Sequence, residues 1–275
     1  HSSIDSAARV MDVDVLLAAT DDDRRLRGDA VRAAIAARPE DTEVFAVVAT
    51  AGTTNLGVVD ALDEVAEAAA EHEAWFHVDA AYGGAALAAD STRPHFAGID
   101  RSDSVVIDPH KWLFAPFDCC ALVYRQPEVA RLAHTQHASY LDPINSDSEW
   151  NPTDYGHFLT RRARGLPFWF SLAVHGTKAY SEAVERTLEV TRAGAELVAA
   201  APHLDLILDP VLSVLAFRRT GWEQMDYDAW SAQLMEEGTA FVVPTQVDGE
   251  PALRICIVNP LTTVDDIAVV LDSLA

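Results

Sequence analysis

The sequence predicts an α/β fold with a mixed, mostly parallel sheet that has helices on both faces, followed by a smaller α+β region. Short apolar runs alternate with amphipathic stretches between residues 14 and 135, a pattern typical of parallel strands joined by helices. With 275 residues, 49% of them hydrophobic, the chain is able to bury one large core or two unequal ones. We predict two domains, residues 1–165 and residues 166–275.

The strands are predicted from short runs rich in β-branched, aliphatic and aromatic residues. In the first domain these runs are residues 15–20, 44–50, 75–79, 104–108 and 121–125. Between the second and third run, Leu62, Val65 and Ala69 lie on one helical stripe, and Asp60 is the predicted N-cap.

The second region is predicted from a long helical stretch and a repeated alternation of strand and helix patterns. A polar loop at residues 136–154 precedes a helical stretch at 169–201, which is two helices or one bent helix. Further strands are predicted at 204–208, 213–219, 241–247 and 252–258, with helices at 226–238 and from Thr263 onwards.

The formal net charge of -23 argues against nucleic acid and membrane surfaces as partners, because lysine and arginine drive both kinds of association. Three cysteines with no framework spacing indicate a reducing compartment, and we expect a cytoplasmic protein. No apolar run is long enough to span a membrane. The first residue is His1 rather than methionine, so we expect sequence upstream of it.

Polar side chains follow three consecutive predicted strands. Thr53 and Thr54 follow the second strand, Asp79 ends the third, and His110 and Lys111 follow the fourth. Ligands of open parallel sheets bind beyond the carboxyl ends of the strands, where these side chains are expected to meet.

Each of these side chains could have an ordinary structural role instead of a functional one. Lys111, one of only two lysines, is either a Schiff-base amine or a solvated loop lysine. Asp79 is either the partner of a protonated ring nitrogen or a turn residue. His77 shares a strand face with Asp79, but no third ligand follows at a suitable spacing, so no metal site is predicted. Lysine, aspartate and threonine together match the needs of pyridoxal 5′-phosphate (PLP).

Five sequence blocks, in order along the chain, resemble the group II PLP-dependent amino-acid decarboxylases, the family of aromatic-L-amino-acid decarboxylase. The blocks are HSSIDSAARV, TAGTTNLGVVD, WFHVDAAYGG, DPHKWLFAPFDC and RRARGLPFW. The resemblance implies the aspartate-aminotransferase type of fold (fold type I), a homodimer, and a first domain that is the C-terminal part of the large PLP-binding domain. It also implies that the N-terminal portion of the family chain is missing.

The resemblance also implies roles for individual residues. Lys111 would form the covalent imine with PLP, and Asp79 would pair with its pyridinium nitrogen. The further cofactor contacts would be Thr54, the small residue Ala81 under the ring, His110 near the phosphate and His1 stacked on the cofactor face. Where the aromatic amino-acid enzymes commonly have asparagine, this sequence has Asp108.

The implied activity is that of a carboxy-lyase, which converts an L-amino acid, with an aromatic one favoured, to its amine and carbon dioxide. Tyr155 resembles the loop tyrosine that returns a proton to the product, and Tyr140 is the competing candidate. The alternatives are an aldehyde-forming or other PLP lyase on the same scaffold, or a truncated paralogue without turnover.

Overall fold

The computed structural model describes residues 1–136 and 151–275, and these form eight α-helices and eight strands together with short 3₁₀ helices. In chain order the elements are α1 Ser2–Met11, α2 Gly28–Ala36, β1 Ala46–Thr50, α3 Leu62–Glu71, β2 Trp75–Asp79, β3 Ser104–Ile107, α4 Pro109–Trp112, β4 Ala121–Tyr124, α5 Pro127–His134, α6 Leu166–Ala200, β5 Leu204–Leu206, β6 Val214–Arg219, α7 Gln224–Glu236, β7 Pro244–Val247, β8 Glu250–Cys256 and α8 Val264–Asp272.

The first sheet has the order β1-β2-β3-β4. Strands β1, β2 and β3 are parallel, and β4 runs antiparallel to β3. One face of β1 and β2 is buried against α2 and α3, because Val47, Ala49, Phe76 and Val78 alternate with less buried residues. The prediction of a mixed, mostly parallel sheet is confirmed.

The predicted strand at residues 15–20 is wrong. Only Thr20 forms an isolated bridge, to Leu26, and Leu17 is 85% exposed. An apolar run forms a buried strand only where a neighbouring strand and a packing face receive it, and neither is present here.

Asp60 does not cap α3, contrary to the prediction. The N-cap position is Ala61, without a side-chain cap. The carboxylate of Asp60 instead accepts the backbone N–H groups of Leu26 at 2.8 Å and Thr50 at 2.7 Å. Asp60 is buried, and burial raises the pKa of its carboxyl group despite these two hydrogen bonds. It therefore joins β1 to the segment before α2.

The second sheet is antiparallel, with the order β5-β6-β8-β7. The predicted bend in the long helix is confirmed, because Gly176 interrupts α6 with φ 76° and ψ 162°. A side chain at that φ would be strained.

Helix α6 packs on both cores: Val184 and Leu188 belong to the core of the first sheet, and Val190 and Val198 to that of the second. The division of the chain at residues 165 and 166 stays a prediction.

Candidate active site

The carboxyl ends of β1, β2 and β3 meet at one edge of the first sheet. Backbone hydrogen bonds continue past the strands, from Ala51 N–H to the Asp79 carbonyl at 2.8 Å and from Asp108 N–H to the Ala81 carbonyl at 3.0 Å. Thr50 pairs with Asp79 in the strand register. The segments that follow the three strands are therefore neighbours, as the sequence predicts.

Asp79 presents a carboxylate at this edge. Its Oδ1 accepts the Ala81 N–H at 3.1 Å, and its Oδ2 accepts no hydrogen bond from any residue that the structure describes. His77 lies on the same face of β2, two residues earlier, and its Nδ1 is 2.8 Å from the Ser104 hydroxyl. Burial lowers the pKa of His77, whereas the negative charge of Asp79 raises it. Asp79 therefore keeps one carboxylate oxygen for a positively charged donor.

Lys111 lies in α4, one helical turn after β3. Its Nζ is 2.9 Å from Oδ2 of Asp108, and the two side chains are 40% and 14% exposed. Asp108 precedes Pro109 at the start of α4, and the Lys111 N–H donates to its carbonyl at 2.9 Å. The acidic residue that departs from the family pattern thus contacts the candidate lysine directly.

Trp112 fixes α4 in the core. It is fully buried and stacks on Tyr82. Its indole N–H donates to the Thr187 hydroxyl of α6 at 3.0 Å, and the Tyr82 hydroxyl is 2.5 Å from that of Ser213. The sequence analysis did not identify Tyr82 or Thr187, which lie 30 and 75 residues from Trp112. Together they hold the backbone next to Lys111.

His110 turns towards the segment before β4. Its Nδ1–H donates to the Cys119 carbonyl at 2.6 Å, and its ring meets the Phe117 ring edge-on at 4.9 Å. This bond places the proton on Nδ1 and leaves Nε2 as the acceptor. Its role near a phosphate stays a prediction.

The turn after β1 is held by the second sheet. Thr54 is exposed, and its carbonyl accepts a hydrogen bond from the guanidinium of Arg254 in β8. The Asn55 amide donates to the Gln246 carbonyl at 3.2 Å. Within the turn, the Thr53 hydroxyl accepts the Val58 N–H at 3.0 Å. The Thr54 hydroxyl has no partner among the described residues, so it stays a candidate cofactor contact.

The glycines after β2 serve backbone packing. A Cβ on Gly83 would lie 2.1 Å from the Ala51 carbonyl oxygen, and a Cβ on Gly84 would lie 2.6 Å from Ile107. The space beside these two glycines is therefore taken by protein and is not open to a ligand. Ala81, which is only half-buried, remains the small residue at the edge.

His1 and Tyr155 lie on other elements. His1 is exposed and caps α1, where its Nδ1 accepts the Ser3 N–H at 3.1 Å. No hydrogen bond, ion pair or ring contact joins it to Asp79 or Lys111 within the described residues. Tyr155 ends the 3₁₀ helix Pro152–Tyr155, which packs on α5. Tyr140 lies outside the described residues.

The donor set at the sheet edge fits PLP. A half-exposed amine and a carboxylate with one unengaged oxygen follow adjacent parallel strands, which lie about 4.8 Å apart. These residues supply a nucleophile for an aldehyde and a counter-charge for a ring nitrogen.

Comparison with known proteins identifies the family. The protein-family model described as the pyridoxal-dependent decarboxylase conserved domain matches residues 1–220. The chain belongs to the pyridoxal-dependent decarboxylase family. Its cofactor is accordingly PLP, and the family predicted from the five sequence blocks is confirmed.

Two curated relatives show how the family matches the chain. The aromatic-L-amino-acid decarboxylase of Bacillus atrophaeus is 28% identical, with 97% of this chain and 58% of the relative covered. The L-2,4-diaminobutyrate decarboxylase of Rhizobium meliloti is 33% identical, with 100% of this chain and 57% of the relative covered. The chain thus spans less than two thirds of the length of these family members.

A solved family structure matches the fold. The crystal structure of Oryza sativa TDC with PLP and tryptamine superposes with a TM-score of 0.89 at 25% sequence identity, covering 100% of this chain and 60% of that one. Fold type I, predicted from the resemblance, is confirmed.

Proposed function

We propose that the protein is a PLP-dependent carboxy-lyase that decarboxylates an L-amino acid to the corresponding amine. The observation that carries this proposal is the placement of Asp79 at the end of β2 and of Lys111 just beyond the end of the adjacent parallel strand β3. The family is one of decarboxylases, and both the Bacillus and Rhizobium relatives bear that name.

In this proposal each residue has a defined task. When bound, PLP supplies an aldehyde for the substrate amine and a conjugated ring that accepts the electrons left behind by carbon dioxide. Lys111 Nζ would be the amine that holds the cofactor covalently. The unengaged Oδ2 of Asp79 would accept a hydrogen bond from a protonated ring nitrogen and so stabilise its positive charge.

The remaining tasks fall to the other candidate residues. Thr54 offers a hydroxyl, Ala81 is the small residue under the ring, and His110 is a contact on the phosphate side. His1 stacks on the cofactor face, and Tyr155 donates the proton that completes the amine. These roles are supported by the family resemblance of the motifs that contain the residues.

We further propose an aromatic substrate and a homodimer. The aromatic substrate is supported by the name of the Bacillus relative and by the tryptamine in the Oryza sativa structure, while the Rhizobium relative names diaminobutyrate as the competing class. Dimerisation is supported by exposed apolar side chains at the start of α6, where Trp169, Phe170 and Val174 are 59%, 55% and 75% exposed.

We also propose that the protein works in the cytoplasm, which its unpaired thiols support. None of the described helices combines the length and the apolar character that crossing a bilayer requires.

Product analysis tests the function. The protein is incubated with PLP and single L-amino acids, and both carbon dioxide and the organic product are measured. An amine formed together with an equal amount of carbon dioxide supports the proposal, with the aromatic amino acids expected to react fastest. An aldehyde as the main product would replace it with the aldehyde-forming alternative, and an absence of any product with bound PLP would favour a paralogue without turnover.

A further inference from the structure

The carboxylate of Asp108 is a partly buried acid beside the candidate lysine. Its side chain is 14% exposed, and its Oδ2 lies 2.9 Å from Lys111 Nζ. The thiol of Cys120, from the segment before β4, lies close to the same carboxylate. No second cation pairs with Asp108 among the residues described, so Lys111 alone balances its charge.

The titratable groups around the Asp108–Lys111 ion pair have partners of their own or carry no charge. The acid nearest to it on the following segment, Asp118, is engaged by Arg162 at 2.7 Å and Arg164 at 3.3 Å. The other titratable groups around α4 are neutral or bonded elsewhere: the buried thiol of Cys119, the imidazole of His110 on the Cys119 carbonyl, and the phenol of Tyr82 near Ser213. Asp79, at the end of the adjacent strand β2, is the other acid at this edge, but among the described residues the ion-pair partner of Lys111 is Asp108.

An ammonium held in an ion pair has no lone pair to attack an aldehyde. For the cofactor to attach, Lys111 loses a proton to solvent, its nitrogen bonds to the aldehyde carbon, and the aldehyde oxygen leaves as water. Each event requires that Nζ leave the carboxylate. An asparagine, which is common at this position in the aromatic amino-acid enzymes that the sequence resembles, carries no charge to hold the ammonium.

We propose that Asp108 is a positioning residue that holds the Lys111 amine as an ammonium at the end of β3 and so slows attachment of the aldehyde cofactor until the ion pair opens. The inference rests on the proposed function, in which Lys111 is the attachment site. An ion pair at this degree of exposure changes a rate or an equilibrium by up to about fivefold, and added salt weakens it.

The chain offers an internal reference for the test, because its second lysine, Lys178, is 89% exposed and lies far from the sheet edge in sequence. Its partner Glu182, at 3.6 Å, is removed by Glu182→Gln in every protein used, so that the reference lysine carries no ion pair of its own. The protein is mixed briefly with PLP, reduced with borohydride and digested. The labelled peptides containing Lys111 and Lys178 are then counted by mass spectrometry.

The ratio of Lys111 to Lys178 labelling is measured with and without Asp108→Asn, at low salt and at about 1 M sodium chloride, where the screening length is about 3 Å. We expect Asp108→Asn to raise the initial ratio about two- to fivefold at low salt. The ratio should rise with salt in the Asp108 protein and stay constant in the variant. The salt series in the Asp108 protein tests the proposal even if the variant does not fold.

Two other outcomes are distinguishable. Labelling of Lys111 at the same rate, with the same salt response, in both proteins would overturn the role of Asp108 and leave the proposed function standing. Labelling of Lys178 without any labelling of Lys111 in either protein would contradict Lys111 as the attachment site, and with it both proposals.

Discussion

The Trp112 indole stacks on the Tyr82 ring, with 5.3 Å between the centroids and 14° between the planes. Trp112 directly follows Lys111, so this contact joins the candidate amine to the segment after β2 that also contains Asp79 and Ala81. The position of the lysine backbone therefore depends on a core contact.

Trp112→Ala is expected to lower the free energy of unfolding by about 3–5 kcal/mol, because it empties a fully buried site and leaves the Thr187 hydroxyl without its donor. Urea unfolding followed by circular dichroism measures the change. The control is Phe241→Ala: this side chain is 77% exposed, and its loss should cost less than about 0.5 kcal/mol. Equal costs for the two variants would contradict the packing described here.

Lys111→Arg is expected to abolish the visible absorbance of lysine-bound PLP, because a guanidinium stays protonated and does not add to an aldehyde. Absorbance spectra with added PLP provide the measurement. The matched control, Lys178→Arg, changes the only other lysine and should keep the band. If the band survives Lys111→Arg, the cofactor is attached elsewhere.

Asp79→Asn is expected to lower the decarboxylation rate by about a hundredfold, the scale for losing one preorganised electrostatic partner. Borohydride trapping of PLP on Lys111 should continue, because the amine is unchanged. Steady-state release of carbon dioxide gives the rate, and Asp90→Asn, at a side chain that is 84% exposed, is the control. A rate within twofold of the parent protein would rule out pairing of Asp79 with the ring nitrogen.

Cys120 is expected to react slowly with iodoacetamide. Although Cys120 is exposed as a whole residue, partial desolvation of its thiol and the neighbouring Asp108 carboxylate raise the pKa of the thiol to about 12. At pH 8 this leaves on the order of a thousandfold less thiolate than a thiol of pKa 9 would have. The rate of alkylation, followed on the Cys120 peptide, should rise about tenfold per pH unit up to pH 11 and increase in Asp108→Asn. A rate that levels off near pH 9 would refute this environment.

Asp60→Asn is expected to cost about 1–3 kcal/mol, because one amide oxygen cannot accept both the Leu26 and Thr50 N–H groups. Burial raises the pKa of Asp60 above 3.8 in the folded state. The folded protein therefore holds the proton more tightly, so the part of the stability that is linked to protonation of Asp60 is full below pH 3.8 and is lost as the pH rises through the raised pKa. Urea unfolding across this range measures it, with exposed Asp22→Asn as the control. If the destabilisation by Asp60→Asn grew as the pH rose from 3.8, the raised pKa of Asp60 would be contradicted.

Local patterns predicted the strands well where burial alternates. Trp75–Asp79 was predicted to the residue, since its side chains alternate between a buried and a half-buried face. The run at residues 15–20 is as apolar, but no neighbouring strand receives it, which composition does not reveal. The contact of Asp108 with Lys111 was within reach of sequence reasoning, because opposite charges three residues apart meet on a helix.

Contacts between distant segments were not predictable in this way. Thr187 lies 75 residues from Trp112, and nothing in its neighbourhood marks it as a partner of an indole. Asp60 was read as a helix cap because aspartate commonly is one, whereas two N–H groups from other segments compete for it. Local propensity is a weak guide where tertiary hydrogen bonds are available.

The guanidinium of Arg254 on the Thr54 carbonyl ties two parts of the chain that lie 200 residues apart. Any shift of strand β8 would therefore pull the turn after β1 with it, and the hydroxyl of Thr54 would change place. Because the acceptor is a backbone carbonyl, the contact depends on Arg254 and on the course of the turn and not on the side chain of residue 54, so grafting the C-terminal sheet of one relative onto another should carry Arg254 and this turn together.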